Sequence, residues 1–336
     1  MIDLTTEWLG FKLCSPLIVA ASPIARDVEA AAAAVAAGAG AVIMHSLFEE
    51  ELAAEQLAVH RLLDAHDNHD AETTRIMPDP GGSALGIDPY LIQLRQLRKR
   101  LNVPVVASLN GVTPGGWTTH ARDLEASGAS AIELNLYDVA TSPDQSGAEL
   151  EARQIAVVQG VVAAVGVPVT VKISPFYTSI PAFVRRLEAA GARGVAVFNR
   201  FYQPDIDLDA LDVERRLVPS TEAELPLRLH GLALLAPWSG LSLGCTGGIW
   251  TGRDAAKAIL CGAHVVQLAS VLLQHGPKQL GVVLDELRHW LTERGYASST
   301  EARAVMSASA ALDPHAWERL NYVRMIGSWT SPYRWR

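Results

Sequence analysis

Apolar residues along this chain fall into short, nearly continuous runs, and the stretches between them carry helical spacing. One phrase recurs: a helix end, a glycine with a small residue beside it, then a brief apolar run. It reads AVAAGAGAVIMHS (34–46), LEASGASAIELNLY (124–137), LEAAGARGVAVFNR (187–200) and AILCGAHVVQLAS (258–270). The glycine suits the left-handed position just past a helix. The β-branched run after it suits a strand covered on both faces, as in a parallel sheet. A second phrase enters a strand through Val-Pro, in NVPVVASLNG (102–111) and GVPVTVKISP (166–175), where a proline at the first residue is tolerated.

With LIVAAS near the start and GLSLGCTGG late in the chain, eight strands are expected: 17–21, 41–45, 103–109, 130–136, 167–174, 194–199, 240–245 and 264–268. Helical patterns lie between them, as at 118–126, 149–165 and 180–190. This alternation predicts an α/β fold, a (β/α)8 TIM barrel. An N-terminal hairpin is expected ahead of the first strand, in DLTTEWLGFKL. The stretch 47–101 is too long for one crossover helix, so an excursion over the barrel mouth between two helices is expected there. The whole chain, 1–336, reads as one domain, with its barrel core at about 14–295 and a C-terminal extension at about 307–336 that ends in an aromatic, Arg-bearing tail.

Composition narrows the function. The 336 residues are 49% hydrophobic and 19% charged, which excludes a disordered or fibrous chain. A net charge of -8 without a basic stripe argues against a nucleic-acid partner. The widely spaced Cys14, Cys245 and Cys261 form neither a disulfide framework nor a metal pair, and a reducing, cytoplasmic setting follows. No apolar run approaches the ~20 residues a membrane span needs, and the N-terminus lacks a signal-peptide pattern. A soluble enzyme with a small-molecule substrate is expected; nothing excludes a homodimer.

Chemistry in such a barrel sits at the C-terminal strand ends. Those ends are Ser22, His45, Ser46, Ser108, Asn110, Asn135, Lys172, Asn199, Gly247, Gly248, Ala269 and Ser270. In VTVKIS, alternation sends Val169, Val171 and Ile173 toward the helices and Lys172 into the barrel. A charge there needs a partner, either a barrel carboxylate such as Glu133 or an anionic ligand. Gly247 and Gly248 follow a strand and precede a helix that begins near Arg253. Bare amides in that position bind phosphate, and QLAS (267–270) supplies the partner loop. Three patterns are set aside. In GLSLG, Ser242 lies inside a strand and not at a hydrolase elbow. Gly38-Ala-Gly40 has Ile43 where a dinucleotide fingerprint needs its third glycine. His66, Asp67, His69 and Asp70 lack metal-site spacing, so no metal is expected.

In this order the strand-end residues resemble the dihydroorotate dehydrogenase family of FMN barrels, over roughly residues 1–295. The resemblance rests on the ELNL strand, the VPVTVKISP strand, Asn199 and the run from Gly244 to Gln267. The tail ERLNYVRMIGSW resembles that of a dihydroorotate dehydrogenase-like branch. The resemblance implies FMN as cofactor and oxidation of dihydroorotate or a related dihydropyrimidine-type ring by hydride transfer to flavin. The electron acceptor is left unidentified. It implies that Ala21, Ser22, His45, Ser46, Ser108, Asn110, Asn135 and Phe198 contact the flavin. Lys172 then stands where reduction builds negative charge. Gly231, Gly247, Gly248, Ala269 and Ser270 hold the phosphate, and His45, Asn135 and Asn199 meet substrate.

Departures concentrate on the substrate side. Asp138 stands where the family has a Cys or Ser base, Ala140 where it has an Asn, and His45 where it has a Lys. Asp138 is therefore the expected base, with Tyr137, Thr141 and Ser142 as alternatives. Two other readings keep the barrel: a flavin-free phosphate-binding lyase or isomerase using Lys172 as a Schiff-base lysine, and a non-catalytic flavin-binding protein.

Overall fold

The structure is a computed structural model describing residues 2–49, 87–111, 117–200, 205–214, 216–308 and 313–330. It opens with an antiparallel hairpin, β1 (Thr6–Trp8) and β2 (Phe11–Leu13). Six parallel strands follow: β3 (Leu17–Val19), β4 (Val42–Phe48), β5 (Val105–Asn110), β6 (Ala131–Asn135), β7 (Val169–Ile173) and β8 (Gly194–Val197). An exposed acidic hairpin, β9 (Asp205–Asp207) and β10 (Asp212–Glu214), precedes β11 (Ser242–Thr246) and β12 (Val265–Leu268). β3–β8, β11 and β12 close into a barrel in which β12 pairs with both β11 and β3. The expected (β/α)8 barrel is thus present, with its eight strands shifted at the ends by a few residues. The β9–β10 hairpin is an addition to the expected elements, although DIDLDALDVE alternates polar and apolar residues as a strand does.

The hairpin β1–β2 closes the barrel floor. Trp8, Leu9 and Leu13 pack against the inward residues Ile18, Ile43, Val106, Ala131 and Val265. A Cβ on Gly194 would stand 2.7 Å from the Leu9 side chain, so glycine there leaves room for the plug. Ser242 sits on this floor, its Oγ accepting from Leu9 N at 3.0 Å, opposite the face where strand ends gather. The outward faces of the strands pack on helices such as Val28–Ala36, Gly147–Ala164 and Ile180–Ala189.

Register sets the site. Asn110 pairs with Asn135 and Asn135 with Lys172, placing three polar residues side by side on β5, β6 and β7. Between β4 and β5 the register slips by one residue after Ile43, so that Ser46 pairs with Ser108. Such bulges re-aim side chains. Tyr90, from the helix Asp88–Arg100, spans this irregularity: its hydroxyl donates to His45 O at 2.9 Å and accepts from Ser108 N at 3.0 Å. Only this helix of the expected 47–101 excursion falls within the described residues up to Arg100; His66, Asp67, His69 and Asp70 lie outside them. Among the described residues, no helix is long and apolar enough to cross a membrane. Nor does any cluster of three His, Cys, Asp or Glu side chains stand ready for a metal.

Candidate active site

Midway up the barrel the interior turns from apolar to charged. Lys172 Nζ donates to Glu133 Oε1 at 2.9 Å, and Gln267 Nε2 reaches the other carboxylate oxygen at 3.4 Å. All three side chains are buried. Small neighbours make space for them: a Cβ on Gly244 would meet Gln267 Nε2 at 3.2 Å and Ala196 Cβ at 3.6 Å. Lys172 therefore takes the barrel carboxylate as its partner, and it also borders a cavity above.

That cavity has a volume of about 370 Å³ and runs from Lys172 to the loops after β11 and β12. Ala21, Ser22, Phe198, Asn199, Gly247, Ala269 and Ser270 border it. Its size lies within the range of small-molecule and cofactor pockets. A second cavity, of about 540 Å³, adjoins it through Asn199 and Arg200; Asn110, Asn135 and Tyr137 line its wall. Asn199 Nδ2 donates to Asn135 Oδ1 at 2.6 Å where the two cavities meet.

The first cavity carries unmet polar groups. Ser22 Oγ and the buried Gln267 Oε1 border it without a hydrogen-bond partner. Unsatisfied buried groups of this kind are costly and point to a missing ligand. At the far end, Gly247 and Gly248 adopt φ of 92° and 77°, which glycine alone takes without strain. A Cβ on Gly248 would stand 2.7 Å from Leu225 N. Its own N–H donates to Ser220 Oγ at 3.1 Å, and Ser220 Oγ lies 2.9 Å from Ser270 Oγ. The cradle thus joins glycine backbone, two hydroxyls and open space, chemistry suited to a phosphate monoester. The donor set fits FMN.

No family model matches the chain. It is 27% identical over 311 residues to the dihydroorotate dehydrogenase B (NAD(+)) catalytic subunit of Pyrococcus abyssi, covering 89% of this chain and 97% of that protein. It is 32% identical over 176 residues to the dihydroorotate dehydrogenase A (fumarate) of Lacticaseibacillus paracasei, covering 50% of this chain and 60% of that one. Against the B-type catalytic subunit of Citrifermentans bemidjiense it is 31% identical over 215 residues, 59% of this chain and 69% of the relative. The chain belongs to the dihydroorotate dehydrogenase family. It is an oxidoreductase of that type.

Against the family pattern, several expected residues stand elsewhere. Asp138 does not border either cavity described above. Arg153 Nε and Nη2 donate to its Oδ2 at 3.0 and 2.5 Å, and it faces a third, separate cavity beside Tyr177. The carboxylate is held by a cation from the helix Gly147–Ala164. Thr141 and Ser142 are exposed, which leaves Tyr137 as the residue of this loop on the Asn-lined wall. Gly231 does not border the first cavity. It lies inside the helix Leu225–Leu235, where a Cβ would come within 2.7 Å of the Phe198 ring. Its role in this structure is to admit that ring.

His45, Ser46 and Ser108 sit at the β4 bulge and border neither cavity. Ser46 Oγ and Ser108 Oγ bond each other at 2.9 Å. The His45 ring lies 5.0 Å from that of Tyr90. Burial, with help from Arg26, lowers its pKa to about 4, so the imidazole is neutral near pH 7. A neutral imidazole at this position supplies no charge.

Three residues escaped the sequence reading. Gln267 enters only through QLAS, a loop expected to offer backbone amides, and not for its side chain, which reaches Glu133. Ser220 lies in irregular chain. Arg228, in LPLRLHGL, is buried at the edge of the first cavity, on the helix face it shares with Leu225, Gly231 and Leu232.

Proposed function

We propose that this chain binds FMN in the first cavity and oxidises dihydroorotate or a related dihydropyrimidine-type ring held in the second. The observation that carries this reading is the Lys172–Glu133 pair at the cavity floor, with the Asn135–Asn199 contact on one side and the Gly247 cradle on the other. Bound there, FMN supplies the hydride acceptor. Lys172 offers a fixed cation where reduction adds negative charge, a preorganised form of electrostatic stabilisation. Asn110, Asn135 and Asn199 offer amide donors and acceptors suited to the imide edge of a pyrimidine ring.

The proton must leave through a group on the second cavity's wall. We assign this to the Tyr137 hydroxyl, because Asp138 is committed to Arg153. The second cavity's border carries Arg200 and Arg216, whose guanidinium groups can meet a carboxylate-bearing ring although each also has a glutamate partner, Glu224 and Glu214.

Purified protein absorbing near ~450 nm, bleached anaerobically by dihydroorotate or dihydrouracil, supports the reading. Colourless protein that borohydride traps covalently on Lys172 with a carbonyl substrate replaces it with the Schiff-base alternative.

A further inference from the structure

The helix Leu225–Leu235 brings its first turn against the loop that follows β11, and Arg228 fills the contact. Arg228 Nε donates to Thr246 O at 3.0 Å and Nη1 to Glu224 O at 2.7 Å; Nη2 lies 3.3 Å from Glu224 Oε2. A guanidinium has five N–H groups, so these contacts leave one on each terminal nitrogen. A Cβ on Gly247 would stand 2.9 Å from Nη2. The missing side chain is what lets the guanidinium lie beside the loop and border the first cavity.

The charge balance there is incomplete. Glu224 serves Arg228 and also stands 3.8 Å from Arg200 Nη2, so one carboxylate is shared by two cations. Arg228 is 5% exposed, whereas the Glu224 side chain is 29% exposed. A buried cation paired with one half-solvated, shared carboxylate is an electrostatic demand for a further anion. Ser220 and Ser270, whose hydroxyls bond each other, stand on the same rim, and bidentate contact with phosphate is what an arginine fork does best.

We propose that Arg228 is a charged ligand of the cofactor's phosphate monoester, using its two spare N–H groups. It makes this cavity select a phosphorylated flavin over the same flavin without phosphate. The proposal rests on the flavin reading above, and it predicts that phosphate recognition here uses a side-chain charge as well as glycine amides.

The test compares dissociation constants of FMN and riboflavin, measured from flavin fluorescence on dilution of the loaded full-length protein, in native enzyme and in Arg228→Met. Losing a charge-assisted contact should weaken FMN on the order of tenfold to a hundredfold. Riboflavin should change by less than about threefold in the same variant. Arg228→Gln keeps an amide donor for the Thr246 carbonyl and gives the same comparison if the Met variant does not fold. Equal losses for both flavins mark Arg228 as structural and overturn the proposal while leaving the flavin site standing. Tighter FMN binding in the variant means that Arg228 occupies the phosphate's place, and it also overturns the proposal. Native protein that binds neither flavin removes the flavin reading itself.

Discussion

Breaking the ion pair at the cavity floor should cost more than replacing it. The Lys172 and Glu133 side chains are 8% and 0% exposed, so neither is well screened by water. Lys172→Met keeps the length of the side chain but leaves Glu133 with Gln267 Nε2 alone, at 3.4 Å. An uncompensated buried charge of this kind costs about 3–5 kcal/mol. Glu133→Gln keeps a hydrogen-bonding group opposite the ammonium and should cost less, about 1–3 kcal/mol. The double variant Lys172→Met, Glu133→Gln removes both charges at similar volume and should lose less than the two singles summed, since no charge is then left buried without a partner. Urea denaturation of the four proteins at pH 7 gives the double-mutant cycle, and the expected coupling is about 2–4 kcal/mol. Lys172→Met within about 1 kcal/mol of native, or a double variant equal to the sum of the two singles, would refute the buried-pair reasoning. The same variants separate stability from chemistry. The double variant should fold yet carry flavin at a lower reduction potential than native, because the cation facing the added charge is gone.

Other outcomes follow from the placements above. Tyr137→Phe should slow anaerobic flavin reduction by about 10²–10⁴-fold, whereas Asp138→Asn should change it by less than about tenfold; the reverse order in stopped-flow reduction would restore Asp138 as the base. Gly231→Ala should loosen flavin through Phe198, which a Cβ would meet at 2.7 Å, and Phe198→Leu in the same background should restore it in a fluorescence titration. Gly248→Ala should destabilise the fold by about 1–3 kcal/mol in a thermal melt, because φ is 77° and a Cβ would press on Leu225 N. Stability should fall as pH drops from about 6.5 toward 4. Burial, then Arg303, lowers the His264 pKa to about 4, so the unfolded chain takes up a proton in that window before the folded one does. His264 Nδ1 accepts from Leu243 N at 3.0 Å, a bond that only the unprotonated nitrogen can make. Melting temperature against pH should become shallower over this window in His264→Asn, with half-buried His45 carrying the slope that remains.

The barrel was readable because a parallel strand covered on both faces must be apolar along its length, and glycine must end the helix before it. Both constraints are local, and the four Gly-small phrases carry them. Lys172 was readable for the same reason: alternation within VTVKIS fixes its direction whatever lies across the barrel. The glycines at 247 and 248 announced a turn that other residues resist. What the sequence left open depends on pairs far apart in the chain. Lys172 and Glu133 are 39 positions apart, and only closure of the barrel decides that they meet. Asp138 has the right chemistry for a base, but its direction is set by Arg153 on the next helix. Gly231 looked like a phosphate contact, whereas packing makes it the seat of the Phe198 ring. Arg228 shares a helix face with Leu225, Leu232 and Leu235, but the carbonyl it bonds belongs to the loop after β11, 18 positions away. Local pattern fixes which way a side chain leaves its own element; which partner waits there is a tertiary fact, because the energy of a buried charge lies in the contact and not in the residue.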